Sequence, residues 1–216
     1  MQKKDRRKLQ GYAGLAALLL LCSLPSLFCS CAPRTEDIKD RVIWLLTESA
    51  EINEVLWGNG LPVWERDSEF AKENHLYDDP EEPDYLFVSQ DSPYLSADAI
   101  KIEAEKYYAK EFLEASVYPQ TFEGLAINDG MGYIVFAKPR FYEDGNWFYQ
   151  YEYAENYFSA GKLSYDFSTI KVVRPSNKTT CYVTVSATLS TTGETLSLRV
   201  KLVVQNNQWF LSSAVG

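Results

Sequence analysis

The stretch CYVTVSATL, residues 181–189, alternates apolar and polar side chains throughout its length. The stretch LSLRVKLVV, residues 196–204, has the same alternation in its first half and follows a Thr192-Gly193 dipeptide. A period of two predicts β-strands with one buried face, and the dipeptide predicts a turn that joins them as a hairpin. Asn206-Asn207 predicts a second turn into a last strand, because asparagine tolerates the positive φ of tight hairpins. The C-terminal part is therefore expected to be an antiparallel meander.

A further strand upstream, residues 147–153, reads WFYQYEY, and Trp147, Tyr149, Tyr151 and Tyr153 share one of its faces. We favour the interpretation that these rings belong to the core and pack against helices. The alternative is that they line a pocket and stack on a sugar, peptide or lipid. Asp166, which lies between two aromatic residues of a later strand, is a candidate carboxylate for such a pocket.

Two helices are predicted in the N-terminal half. The first runs from Glu36 to Trp57, where apolar residues recur at helical spacing, and the second begins after a Ser96 cap and runs to about Ala115. Residues 61–84, between them, are acidic, contain three prolines and show no period, which predicts an irregular surface segment with a strand after it at residues 85–88.

Helices followed by strands predict an α+β domain over residues 36–216, with the helices packed on a curved antiparallel sheet. The layout resembles the NTF2-like and cystatin-like folds, in which a curved sheet wraps around a helix and leaves a conical pocket. The stretch NQWFL, residues 207–211, resembles the closing strand that is common in that group. The resemblance implies a cone that could hold a small ligand.

The first 30 residues have the order of a secretory signal: a cluster of lysines and arginines, then an uncharged apolar run. Cys31 follows Ser30, and Phe28 lies three positions before it, so the stretch resembles a bacterial lipoprotein signal. That resemblance implies cleavage before Cys31 and a lipid anchor on Cys31. The protein would then be exported and held on the outer face of the cytoplasmic membrane, or on an outer membrane. Ordinary secretion and a retained anchor are the alternatives.

A lipid on Cys31 would leave residues 31–35 as a short tether before the first helix. At about 3.5 Å per residue, this segment spans roughly 10–15 Å. We therefore expect the domain to lie close against the membrane.

The charge is distributed unevenly along the chain. Residues 31–131 contain eight basic and 23 acidic residues, a net charge of −15, whereas residues 132–216 have a net charge of +2. An acidic chain lacks the basic surface that replaces phosphate counterions, so we expect no nucleic-acid partner. A solvated acidic half is the favoured interpretation, and an acidic surface for a cationic partner is the alternative.

No catalytic set converges in the sequence. His75 is the only histidine, which excludes a two-histidine metal site, and Cys181 is expected to be a buried thiol within a strand. We therefore expect no metal, no cofactor and no catalytic residue, and we favour a non-catalytic domain that binds an envelope protein or a small ligand. The alternatives are an isomerase or hydrolase that uses the conical pocket, and an inhibitor of cell-wall hydrolases.

Overall fold

The computed structural model describes residues 35–78, 84–128, 134–153, 163–173, 179–190 and 192–215. These residues belong to one unit, Arg34–Gly216. The signal sequence and Cys31 lie outside the described residues, so their assignment stays a prediction.

The predicted first helix forms two helices, α1 (Thr35–Glu48) and α2 (Ala50–Trp57). Ser49 separates them, but its backbone N–H still donates to the Leu45 carbonyl at 3.1 Å. The interruption is therefore confined to one residue. The apolar spacing seen in the sequence is correct, since the following positions are buried: Ile38, Val42, Leu45, Leu46, Ile52, Val55 and Leu56.

The described part of the acidic segment after α2, residues 61–78 and 84, is largely irregular, as predicted, and contains one short helix, α3 (Glu69–Glu73). The second predicted helix begins as expected: Ser96 caps α4 (Ala97–Ala104), and its side chain accepts from the Ala99 N–H at 3.1 Å. The predicted end at Ala115 is wrong for α4. The chain continues in α5 (Lys110–Phe112) and in two π-helical turns, Leu113–Val117 and Pro119–Glu123.

The early end of α4 has a tertiary cause. The Ala109 N–H donates to the Leu211 carbonyl at 2.8 Å, and the Leu211 N–H donates to the Tyr107 carbonyl at 2.9 Å. The segment from Tyr107 to Ala109 therefore pairs with the last strand of the protein. These backbone groups are used across the sheet and cannot continue a helix.

The described strands form three separate sheets, not the single meander that the sequence predicted. The largest sheet has the order β6-β7-β8-β9, the second has the order β1-β5-β4, and the third has the order β2-β3. The strands are β1 (Tyr85–Phe87), β2 (Leu125–Asn128), β3 (Ile134–Ala137), β4 (Phe141–Asp144), β5 (Trp147–Tyr151), β6 (Leu163–Val173), β7 (Thr180–Leu189), β8 (Thr195–Gln205) and β9 (Gln208–Leu211).

Two features explain why the strands separate. Pro139 lies between β3 and β4, and a proline cannot donate to a ladder of hydrogen bonds. Strand β1, which comes from the N-terminal half, pairs with β5 and so occupies one of its edges. Sequence periodicity contains no information about that long-range pairing. The predicted α+β class is confirmed, whereas the predicted continuous sheet is wrong.

The four-stranded sheet follows the prediction closely. Cys181 pairs with Leu202 and Val183 with Val200, and all four side chains are buried, so the predicted inner face is correct. Gly193 has a φ of +70°, and Asn206 and Asn207 have φ of +52° and +62°, as their two turns require. Helix α1 packs against β6 and β9.

Candidate functional site

In strand β5, the face that the favoured prediction placed in the core is the more exposed one. Phe148 and Gln150 are buried, whereas Trp147 is 38% exposed and Tyr149 and Tyr151 are partly exposed. Phe148 stacks on Phe141 of β4 within the hydrophobic core, at 5.3 Å between ring centroids. The interpretation of the aromatic stripe as core is therefore wrong. The stripe lies on the side of the sheet that faces away from the core.

Gln150 decides this orientation because it has partners inside the protein. Its side-chain oxygen accepts from the Leu61 N–H at 2.6 Å, and its side-chain nitrogen donates to the Asn59 carbonyl at 3.3 Å. These groups belong to the turn after α2, where Gly60 has a φ of +84° and a Cβ would meet the Gln150 side chain. A polar residue such as Gln150 is expected at the surface from the sequence alone. Its burial can be explained only once the turn that supplies its hydrogen-bond partners is known.

Two buried rings of β1 lie beside the stripe on the same face of the sheet. Tyr85 pairs with Tyr151, and Phe87 pairs with Tyr149, in the antiparallel register of the two strands. The Phe87 ring lies 4.6 Å from Tyr149 and 5.2 Å from Trp147, to which it is perpendicular. Contacts at these distances add to burial and hold the outer rings in place.

Tyr142 of β4 extends the stripe on its other side. It lies directly opposite Tyr149 in the ladder, and their ring centroids are 5.0 Å apart. Tyr153, which follows β5, is 65% exposed and lies 5.9 Å from Tyr151. We call the set Tyr142, Trp147, Tyr149, Tyr151 and Tyr153 the aromatic face.

Tyr77, after α3, packs beside Phe87, one of the buried rings of β1. Its hydroxyl donates to the Trp64 carbonyl at 2.6 Å and accepts from the Phe87 N–H at 3.0 Å. Burial raises the pKa of Tyr77 above its ordinary value, despite the opposing effects of the Phe87 N–H and the Arg66 charge. The neutral phenol is thus an anchor that fixes the segment around α3 to β1.

The cations beside the aromatic face are paired with carboxylates. Arg66 stacks 4.7 Å over the Tyr77 ring and lies 3.0 Å from Glu152, and Lys138 lies 2.9 Å from Asp84. Asp144 is directly opposite Trp147 in the ladder. Because each of these two cations has a carboxylate partner, the described part of the rim offers no concentrated positive charge to an anionic ligand.

Asp166 does not belong to the aromatic face, since it lies on β6 of the four-stranded sheet. Its carboxylate accepts from the Ser168 N–H at 3.1 Å and from the Ser168 hydroxyl at 2.6 Å. The register of β6 shifts between Asp166 and Lys171, where Thr169 accepts from the Ser186 N–H at 2.8 Å. Asp166 therefore organises a β-bulge, a local structural role, and the structure does not bring it together with the four predicted aromatic residues.

Other chemistry-bearing residues are separate from the aromatic face. His75 is exposed, with its Nδ1 2.7 Å from an Asp78 oxygen. Among the described residues, no group of three or more histidine, cysteine or acidic side chains could hold a metal ion. Cys181 is fully buried and forms no disulfide bond with another described residue, which confirms the expected buried thiol.

A cavity of about 410 Å³ lies at another place in the fold, where the ends of β7 and β8 approach α5. It is half open and is lined by Ala109, Glu111, Thr179, Thr180, Val203, Val204 and Gln205. The residues predicted to line a pocket are absent from this set.

Sequence reasoning found four of the five residues of the aromatic face. It missed Tyr142 and the two buried rings of β1. The alternation of β5 gave the four residues, but Tyr142, Tyr85 and Phe87 come from strands whose pairing with β5 has no local signal. Within the part of the chain that the structure describes, no helix has the length and apolar character needed to cross a membrane. Comparisons with models of protein families, with curated proteins and with solved structures each find no match to this chain.

Proposed function

We propose that this chain is a lipid-anchored extracytoplasmic protein that binds neutral carbohydrate on its aromatic face and performs no catalysis. The observation that carries the proposal is the outward orientation of the β5 stripe, with Trp147 38% exposed and Tyr153 65% exposed. Large apolar rings on a solvent-facing surface are unusual in a soluble domain and favour a binding role.

The packing of the rings supports binding without rearrangement. Phe87 contacts both Trp147 and Tyr149, and Tyr85 contacts both Tyr142 and Tyr151, each at 4.6 to 5.4 Å between centroids. Side chains held by buried neighbouring rings lose little conformational entropy when a ligand arrives. Affinity gains from such preorganisation.

The chemistry of the aromatic face favours carbohydrate over a charged ligand. The C–H bonds of a sugar ring carry partial positive charge and pack on the negative face of an aromatic ring. Tyr151, Tyr153 and the indole N–H of Trp147 have no hydrogen-bond partner for their side chains among the described residues, so they are available to sugar hydroxyls. Asp144 would accept from a hydroxyl and would repel an anionic ligand.

The test uses the full-length chain in a neutral detergent and a panel of oligosaccharides: β-linked glucose, α-linked glucose, N-acetylglucosamine, and anionic polygalacturonate. We expect a neutral member to bind and the variants Trp147→Ala and Tyr149→Ala to weaken binding about tenfold or more, as expected for central aromatic contacts. Trp44→Ala is the matched control, because Trp44 is similarly exposed, at 41%, on α1.

The ligand should also leave the assay with its chain length unchanged, since the proposal assigns binding alone. Unchanged affinity in Trp147→Ala and Tyr149→Ala, or binding of the anionic polymer only, would contradict the carbohydrate assignment. Shortening of a bound oligosaccharide would instead favour the hydrolase alternative.

The lipid anchor is tested separately at Cys31. If Cys31 carries the anchor, Cys31→Ala should release the protein from the membrane fraction and abolish its labelling by radioactive palmitate. Ser30→Ala, which keeps a small residue before Cys31, is the control and should stay in the membrane fraction. Continued palmitate labelling of Cys31→Ala would exclude this cysteine as the lipidated residue.

A further inference from the structure

A further exposed aromatic residue, outside the aromatic face, lies on α1. Trp44 is 41% exposed, and its ring lies 5.5 Å from that of Tyr107. The Arg41 guanidinium stacks 4.2 Å over the indole, and the Arg41 Nε donates to the Trp209 carbonyl at 3.0 Å. Trp44 is thus an exposed apolar side chain that its neighbours hold in place, as in the central residues of protein interfaces.

Three carboxylates surround this tryptophan and its neighbouring tyrosines. Glu48 follows Trp44 by one helical turn, Glu51 lies at the start of α2, and Glu103 of α4 accepts from the Tyr107 hydroxyl at 2.9 Å. We call the set Trp44, Glu48, Glu51, Tyr94, Glu103 and Tyr107 the acidic helical face.

The charges of the three carboxylates act on the two tyrosines of this face. Burial, and then the charges of Glu51 and Glu103, raise the pKa of Tyr94 to about 12. Burial, the Glu103 hydrogen bond, and the charges of Glu103 and Glu48 raise the pKa of Tyr107 to about 12. Each of the three carboxylates therefore acts on at least one of these two rings.

Local cations compensate only part of this charge. Lys106 lies 2.5 Å from a Glu103 oxygen and the Arg41 guanidinium lies over Trp44, but Glu48 and Glu51 are exposed and form no ion pair with another described residue. Two more apolar side chains lie beside the face along the chain: Leu95, next to Tyr94, is 52% exposed, and Ile102, next to Glu103, is 67% exposed. The surface thus combines exposed apolar groups with uncompensated negative charge.

We infer that the acidic helical face docks a basic segment of another protein that alternates lysine or arginine with apolar residues. The cations of the partner would pair with Glu48 and Glu51, and an apolar residue would pack on Trp44. The net charge of −15 over residues 31–131 would steer such a partner toward this half of the chain. The inference is independent of carbohydrate binding, because the two surfaces share no residue.

The test uses the full-length chain in neutral detergent and a dye-labelled peptide of Gly-Lys-Leu repeats, with a Gly-Glu-Leu peptide as the opposite-charge probe. We expect fluorescence anisotropy to show binding of the basic peptide only, with an affinity that falls as salt is added. Trp44→Ala should weaken binding about tenfold, and so should the triple variant Glu48→Gln, Glu51→Gln, Glu103→Gln.

The matched control is the triple variant Glu65→Gln, Glu69→Gln, Glu73→Gln, which removes the same charge from exposed positions around α3. It should bind the basic peptide nearly as tightly as the unchanged chain. Equal weakening by both triple variants would show attraction to net charge alone and would overturn the inference. No binding of the basic peptide, or self-association of the chain that Trp44→Ala abolishes in sedimentation, would also overturn it.

Discussion

At the scale of single residues, the helical half is organised by a chain of buried hydrogen bonds. The Tyr108 hydroxyl donates to the side-chain oxygen of Asn53 at 2.6 Å, and the Asn53 side-chain nitrogen donates to the Ser49 hydroxyl at 3.2 Å. All three residues are buried, and burial raises the pKa of Tyr108 well above its ordinary value. The interruption between α1 and α2 therefore has a specific polar partner in the core.

This arrangement predicts that Tyr108→Phe lowers the free energy of unfolding by about 1–3 kcal/mol, because it leaves a buried Asn53 oxygen without its donor. Chemical denaturation followed by circular dichroism measures the change. Tyr153→Phe, at an exposed position, is the control and should change stability by less than about 0.5 kcal/mol. Equal stability of Tyr108→Phe and the unchanged protein would contradict the proposed role of this hydroxyl.

The sequence correctly predicted those residues whose role depends on the local backbone. Ser96 caps α4, and Asn206 and Asn207 adopt positive φ, because both features depend on neighbours only a few positions away. Gln150 lies on the strand face opposite the aromatic stripe and is buried, since its partners lie about 90 positions earlier in the chain. A polar residue gives no local indication that a distant turn will satisfy it.

At the scale of elements, strand β5 shows the limit of the period-two argument. The alternation correctly separates Trp147, Tyr149 and Tyr151 from Phe148 and Gln150. It does not state which set faces the core, because both faces contain aromatic rings and the set with more rings is the outer one. The stacking of Phe148 on Phe141 and the hydrogen bonds of Gln150 together decide the orientation, and these contacts require β4 and the turn after α2 to be in place.

The four-stranded sheet was predictable because, unlike β5, its strand β7 has only one apolar face. In β7, threonine, tyrosine and serine alternate strictly with apolar residues, so burial of the apolar face is strongly favoured. The turns at Gly193 and Asn206-Asn207 then fix the register of β8 and β9. Local chemistry and burial therefore point to the same arrangement. Pairing of β1 with β5 has no such local determinant.

At the scale of the whole molecule, several tyrosines make stability depend on alkaline pH. Burial raises the pKa of Tyr165 to about 12, and the pKa values of Tyr94 and Tyr107 are also raised to about 12, from an ordinary value of 10. The unfolded chain would lose these protons near pH 10, whereas the folded chain keeps them until about pH 12. The folded state therefore binds more protons between these values, and its stability falls as pH rises.

We accordingly expect the urea midpoint to be independent of these tyrosines between pH 7 and 9 and to decrease above about pH 10. Tyr165→Phe should make the alkaline decrease less steep, because burial alone raises the pKa of this residue. The measurement compares urea midpoints of the two proteins across this pH range. An identical slope in Tyr165→Phe would show that Tyr165 ionises at the same pH in the folded and unfolded states.

The backbone pairing of Tyr107–Ala109 with β9 has a consequence for aggregation. A strand at the border of a sheet exposes N–H and C=O groups that can recruit a strand from another molecule. Here Leu211 exchanges hydrogen bonds with Tyr107 and Ala109, so the Leu211 end of this border is already occupied by the protein itself. Because the covering segment is made before β9 during synthesis, the last strand can be shielded as soon as it forms.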